Sequence, residues 1–252
     1  MNAPLLEVAG LSVHFGTHRV LNGVSFQIHA GETVGLVGES GAGKSTLARA
    51  VLRLIRADGQ VRFGGAELLT ATPQNLRLLR RNFQMVFQSP LASLNPRLSI
   101  GTAVAEPLAV FEPQLEAKDR RRRVAEMLER VGLSGDIQGR YPHQFSGGEC
   151  QRIAIARAMM LRPKLLVCDE PVSSLDVSIQ GQIVNLLKDL QDSTHMAMLF
   201  ISHNLAVVRQ MSHRILVMQQ GEIVESGERD ALLLAPQHPY TQRLLAALPR
   251  GF

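Results

Sequence analysis

Residues 38–46 read Gly-Glu-Ser-Gly-Ala-Gly-Lys-Ser-Thr, between the apolar run Thr33–Val37 and the helix-forming Leu47-Ala48-Arg49-Ala50-Val51-Leu52. A glycine, four residues, then Gly-Lys-Ser, set between a strand and a helix, is the spacing that wraps backbone around a phosphate chain. In Gly38, Glu39, Ser40, Gly41, Ala42, Gly43, Lys44, Ser45 and Thr46 the glycines let successive N–H groups turn toward one anion. The N-terminus of the following helix adds its dipole. Lys44 is long enough to reach a β- and a γ-phosphate, and the Ser45 hydroxyl is a ligand for Mg²⁺. The expected ligand is a nucleoside triphosphate.

A second group of chemically able residues closes Leu165-Leu166-Val167-Cys168-Asp169-Glu170. Four apolar residues predict a buried strand, which delivers two carboxylates to its carboxyl end, where ligands sit in open α/β sheets. Asp169 is suited to hold Mg²⁺ through a water, and Glu170 to polarise an attacking water as general base. A third group, Phe145-Ser146-Gly147-Gly148-Glu149-Cys150-Gln151-Arg152, opens a helix. Ser146 and the two glycines offer a hydroxyl and bare N–H groups to an anion, and equally make an ordinary Ser N-cap.

The elements needed to position these groups are legible in the spacing. Leu6, Val8, Leu11, Val13 and Phe15 alternate as one strand, and Val20, Val24, Phe26 and Ile28 as a second. Lys44 to Ile55 has helical spacing, Gly59 to Leu68 reads as a hairpin with Gly64-Gly65 at its tip, and Phe83 to Gln88 as a strand. Helical patterns follow at Ala117–Val131 and Gln151–Leu161, then strands at Leu165–Cys168, Met198–Ile201 and Ile215–Met218, with a helix at Val177–Leu190. This predicts an α/β fold: an N-terminal antiparallel β region, a parallel sheet core and an inserted helical subdomain at 89–158. Residues 1–252 are expected to form a single domain, with 229–252 a short C-terminal extension around one amphipathic helix.

Composition excludes several classes. At 45% hydrophobic the chain supports a globular core, and no run approaches the ~20 apolar residues that span a bilayer. Met1-Asn2-Ala3-Pro4 lacks the basic and apolar segments of a signal peptide, so a cytoplasmic chain is expected. Cys150 and Cys168 are eighteen positions apart and give neither metal spacing nor a disulfide framework. The net charge of +5 gathers in Arg77, Arg80 and Arg81 and in Lys118 with Arg120 to Arg123, as on solvated helix faces. With no Trp and two Tyr there is no stacking platform for single strands, and no nucleic-acid partner is expected.

Together these motifs resemble those of the ATP-binding cassette ATPases over essentially the whole chain. Gly38–Thr46 is similar to the family's Walker A and Leu165–Glu170 to its Walker B. Ser146–Glu149 is similar to the signature, with Glu149 where Gln is commoner. Gln88 stands at the Q-loop glutamine, Ser174-Leu175-Asp176 at the D-loop, and His203 of Ile201-Ser202-His203-Asn204 at the switch histidine. Phe15 before Gly16 fits the aromatic that stacks on adenine, and reads equally as a core Phe.

The resemblance implies ATP and Mg²⁺ as cofactors, with Ser45, Gln88 and Asp169 as metal ligands. It implies Glu170, His203 and Gln88 as catalytic residues, and ATP sandwiched between the cradle of one cassette and the Ser146 region of another, with Asp176 signalling across. Within the family, Val86-Phe87-Gln88-Ser89-Pro90, Ser93-Leu94-Asn95-Pro96-Arg97, Pro171 to Gln180 and the tail His238-Pro239-Tyr240-Thr241, Leu244-Leu245 and Pro249 resemble the peptide/nickel importer branch, specifically the F-type ATP-binding subunit of oligopeptide and dipeptide permeases. That branch implies a peripheral protein on the cytoplasmic face of the cell membrane. Its partners would be a sister cassette ATPase, two permease subunits and an extracytoplasmic binding protein. Peptide is the expected cargo, with nickel or another chelated metal as the alternative and an exporter or a soluble cassette ATPase further behind. The tail lacks the cysteines some relatives use for an iron–sulfur cluster, so none is expected.

Overall fold

Unbroken apolar runs make the inner strands. In a computed structural model describing residues 3–246, all five residues of Thr33–Val37, Leu165–Asp169 and Ala197–Ile201 are buried, the pattern of parallel strands covered on both faces. In chain order the first elements are β1 (Leu6–Phe15), β2 (His18–Ile28), β3 (Thr33–Val37), α1 (Lys44–Val51), β4 (Asp58–Phe63), β5 (Ala66–Glu67), α2 (Pro73–Arg80) and β6 (Phe83–Val86). There follow α3 (Pro90–Ser93), α4 (Ile100–Phe111), α5 (Ala117–Arg130), α6 (Gly147–Met159), β7 (Leu165–Asp169) and α7 (Val177–Thr194). The last are β8 (Ala197–Ile201), α8 (Leu205–Met211), β9 (Arg214–Gln219), β10 (Glu222–Glu228), α9 (Arg229–Leu234) and α10 (Pro239–Ala246). The expected α/β class is the observed one. The chain divides into two compact units, one running to Arg77 and resuming at His195, the other Leu78–Thr194.

The first unit holds an antiparallel sheet in the order β2-β1-β4-β5. It also holds the run β10-β9-β3-β8, in which β3 lies parallel to both β8 and β9. Its register pairs Leu36 with Ile201 and Val37 with Val217, so β3, β8 and β9 release their loops at one end. Leu6, Val8, Leu11 and Val13 of β1 meet Leu21, Val24, Phe26 and Ile28 of β2 in the core. Two positions of the alternating pattern lie outside that core: Val20 is only half-buried, and Phe15, read as a stacking aromatic or a core residue, is 56% exposed. The cause is register irregularity on either side of Val13, which resets which residues face inward.

In the second unit β6 and β7 pair in parallel, Phe83 with Leu165 through Val86 with Cys168. The helical part packs Ile100, Val104 and Leu108 of α4 with Val124 and Leu128 of α5 and Ile153 of α6, all essentially buried. Each such aliphatic side chain contributes roughly 1.5–3 kcal/mol by leaving water. Arg157 of α6 donates to Ser93 O at 2.7 Å, tying that helix to α3. Of the basic clusters, Lys118 and Arg120 to Arg123 lie on α5, where Arg122 pairs with Asp119 and Glu126 one turn away. Arg77 and Arg80 lie on α2 but Arg81 falls just beyond it, and Arg81 and Arg123 share Glu112.

Several boundaries move. The helix expected to reach Ile55 stops at Val51, because Arg53 adopts φ 51° and its guanidinium donates to Leu68 O and Ala71 O. The strand from Phe83 ends at Val86 rather than Gln88, leaving Gln88 in a loop. The tail carries two helices, α9 and α10, where one was expected, and Pro249 lies outside the described residues.

Candidate active site

In the first unit β3 ends at Val37 and the chain turns through Gly38–Gly43 into α1. Gly43 caps the helix at φ 103°, and a Cβ there would stand 3.0 Å from Leu21 Cδ2 and 3.1 Å from Val20 O, so only glycine fits without strain. Gly43 has no side chain to cap α1, whose first turn begins at Lys44. Lys44 is 5% exposed, and its ammonium donates to Gly38 O at 2.8 Å and Glu39 O at 2.9 Å. The loop is tethered from outside as well. Gly221 N–H donates to Ala42 O at 3.0 Å, and Glu39 N–H donates to the Tyr240 hydroxyl at 2.9 Å.

His203 stands two residues beyond Ile201, the partner of Leu36. The turn around it is fixed by Asn204 N–H donating to Ser202 Oγ and by the Asn204 side chain accepting from Ala206 N–H, both at 3.0 Å. Phe15, at the β1–β2 turn, presents its ring to solvent, which rules out the core role and leaves it able to stack on a flat ligand.

In the second unit the register of β6 on β7 sets Val86 beside Cys168, so Gln88 and Glu170 each follow two residues beyond a paired position. Gln88 Nε2 donates to Glu170 Oε2 at 3.3 Å. Asp169, the last residue of β7, is 2% exposed. Glu170 has φ 46°, a left-handed backbone costing a non-glycine residue about 1 kcal/mol or more. Ser173 holds it there, its N–H and Oγ both donating to Glu170 O, at 3.3 and 3.1 Å.

Ser146 caps α6 in a full capping box. Its Oγ accepts from Glu149 N–H at 3.3 Å and donates to Glu149 Oε2 at 2.7 Å, which also receives Ser146 N–H at 2.8 Å. These bonds to Ser146, with Arg140 nearby, hold the Glu149 carboxyl below the usual range. The N-cap role is thus realised, and the amides of Gly147 and Gly148 are the first-turn N–H groups the box does not use. Asp176 O accepts from Ile179 and Gln180 N–H, both at 2.9 Å, at the start of α7.

The cradle, Phe15 and His203 therefore belong to one unit, and Gln88, Ser146–Glu149, Asp169, Glu170 and Asp176 to the other. Sequence reasoning missed Ser173 and Tyr240 as supports of Glu170 and of the cradle. A serine three residues after a strand-end acid is a turn signal for the first. The second had none beyond its place in the tail motif.

A family model described as ABC transporter matches residues 21–173. The oligopeptide transport ATP-binding protein OppF of Escherichia coli K12 is 50% identical, covering 97% of this chain and 78% of that protein. The glutathione import ATP-binding protein GsiA of the same organism is 51% identical over 98% of this chain and 41% of its own length. Among solved structures, the ATP-binding cassette MJ0796, a dimer in a post-hydrolysis state bound to ADP and Pi, superposes with a TM-score of 0.80 at 28% identity, covering 89% of this chain and 98% of that one. A phosphate cradle on one unit, an acid pair and a second capped glycine turn on the other, and identity of this extent lead to one assignment: the chain belongs to the ATP-binding cassette transporter family and is an ATP-binding ATPase domain of it.

Proposed function

We propose that this ATPase powers the import of small peptides across a membrane. The observation that carries the reading is the near-full-length identity to a protein named for oligopeptide transport. The second relative is named for glutathione, itself a tripeptide, which favours peptide over nickel or another chelated metal as cargo.

In this reading Lys44 and the first-turn amides of α1 bind the β- and γ-phosphates, and Phe15 stacks on the base. Ser45, Asp169 and Gln88 supply a hydroxyl, a carboxylate and an amide oxygen, hard donors of the kind Mg²⁺ takes. When bound, Mg²⁺ neutralises charge on the phosphates. Glu170 accepts the proton of the attacking water, Gln88 orients the carboxylate through their hydrogen bond, and His203 contacts the γ-phosphate. Ser146, Gly147, Gly148 and Glu149 face the nucleotide of a second cassette, with Asp176 beside that interface, so ATP favours the paired state and hydrolysis releases it.

No helix among the described residues is long and apolar enough to cross a membrane; in this reading partner proteins form the path for cargo. These are two permease subunits, a sister cassette ATPase and an extracytoplasmic binding protein, with this chain held on the cytoplasmic face. Residues 89–158, bearing Gln88's loop at one end and the signature near the other, act as the helical insert on which the permeases dock. Purification from native membranes in mild detergent should bring down two multi-spanning proteins and a second cassette ATPase, identified by mass spectrometry. Recovery with no membrane partner would overturn the transport role and leave the ATPase chemistry standing.

A further inference from the structure

We propose that Tyr240, in the C-terminal helix α10, is a positioning residue for Lys44, acting through the peptide group that joins Gly38 to Glu39. This rests on Lys44 binding phosphate as described above. The N–H of that peptide donates to the Tyr240 hydroxyl at 2.9 Å, and its C=O accepts from the Lys44 ammonium at 2.8 Å. The two side chains hold opposite ends of one planar unit, so a rotation imposed at one end is felt at the other. Donation from the N–H also polarises the amide toward oxygen, which strengthens the bond to the ammonium. Glu39 contributes a second acceptor, its own C=O, to Lys44 at 2.9 Å. Loss of the Tyr240 hydroxyl would free the peptide to tilt and release both carbonyls from the geometry that seats Lys44.

The hydroxyl is itself well fixed. Tyr240 is 2% exposed, and its N–H donates to His238 Nδ1 at 3.2 Å. The backbone N–H groups of Gln237 and His238 donate to the two carboxylate oxygens of Glu225 on β10, at 2.8 and 3.1 Å. Sheet, tail and loop are thereby joined in one chain of hydrogen bonds. Burial raises the Tyr240 hydroxyl above its ordinary titration range, so it accepts as a neutral group. A carboxylate in that position would bring negative charge toward a polyphosphate. The tyrosine gives the loop an acceptor without that repulsion.

The test is calorimetric titration of the full chain with Mg-ATP in four forms: wild type, Tyr240→Phe, Lys44→Ala and Leu232→Ala. The last removes a buried side chain of α9 in the same unit and serves as the control for a general loss of stability. Tyr240→Phe should weaken ATP binding about three- to tenfold, the scale of one lost hydrogen bond, while Leu232→Ala lowers the melting temperature with affinity within about twofold of wild type. An affinity for Tyr240→Phe within about twofold of wild type, or an equal loss in Leu232→Ala, would overturn the positioning role. Lys44→Ala separates this from the cradle itself. If it binds ATP like wild type, the phosphate-binding reading fails; if it loses binding while Tyr240→Phe does not, only the role of Tyr240 falls. Should Tyr240→Phe not fold, Glu225→Ala, which loosens the tail at a distance, carries the same comparison.

Discussion

Gln88 donates to Glu170 across 3.3 Å, and the two residues stand two positions beyond Val86 and Cys168, which are paired in register on β6 and β7. Parallel pairing therefore delivers an amide and a carboxylate at one height. The left-handed backbone of Glu170, closed by Ser173, turns the carboxylate's residue out of the strand immediately after Asp169. Two adjacent acids thus receive different backbone conformations and different surroundings, a buried strand end for one and a pinned turn for the other.

Glu170→Gln tests the assignment of the base. The substituted amide can still accept from Gln88, so the local geometry survives while the proton acceptor is lost. Steady-state ATP hydrolysis should fall about 10²- to 10⁴-fold, with ATP affinity retained and an ATP-bound dimer accumulating on size-exclusion chromatography. Unchanged turnover would remove Glu170 from that role.

Gly148 tests the packing of the signature turn. A Cβ there would lie 2.7 Å from Ile179 Cγ2, a methyl on a β-branched side chain that cannot swing aside. Alanine gains about 1 kcal/mol of helix propensity over glycine, whereas overpacking costs about 1–3 kcal/mol, so crowding should win and Gly148→Ala should lower the melting temperature. Adding Ile179→Ala should recover stability, giving a coupling of about 1 kcal/mol in a thermal double-mutant cycle. Simple additivity would show that the two do not collide.

Acid should unfold the chain partly through Glu149 and Glu225. Ser146 holds the Glu149 carboxyl down. At Glu225 burial opposes ionisation, but the backbone amides of Gln237 and His238, which donate to its two carboxylate oxygens, keep it below its ordinary value too. Both release protons more readily folded than unfolded. Their stabilisation is therefore complete above the ordinary value of 4.5 and is lost as pH falls through the lower folded values. Melting temperatures should drop between about pH 5 and pH 3, and Glu225→Gln should shrink that drop. A Glu225→Gln profile parallel to wild type would exclude a contribution from Glu225.

The chemistry-bearing segments were legible because their signals are local. The glycines of 38–46 announce positive φ and close approach, and Leu165–Cys168 announces a buried strand by composition alone. Ser146 with Glu149 three residues on was legible as a helix start, and its two readings as cap and as anion site use different atoms of the same turn. What stayed hidden depends on partners distant in sequence. Tyr240 meets a residue 201 positions earlier, and Phe15 left the core face because of irregular pairing between β1 and β2. The early end of α1 at Val51 escaped because Arg53, not a glycine, takes the left-handed turn. Propensity ranks arginine among good helix formers, and tertiary bonds from its guanidinium to Leu68 and Ala71 override that preference.

The tethers of the phosphate loop have a thermodynamic consequence. Gly221 holds Ala42 and Tyr240 holds Glu39, so the loop is tied at both shoulders by bonds made within the chain itself. The entropy of shaping it is lost when the chain folds rather than when ATP arrives. In the proposed mechanism, a loop shaped in advance would leave more of the free energy of ATP binding to drive pairing with a second cassette.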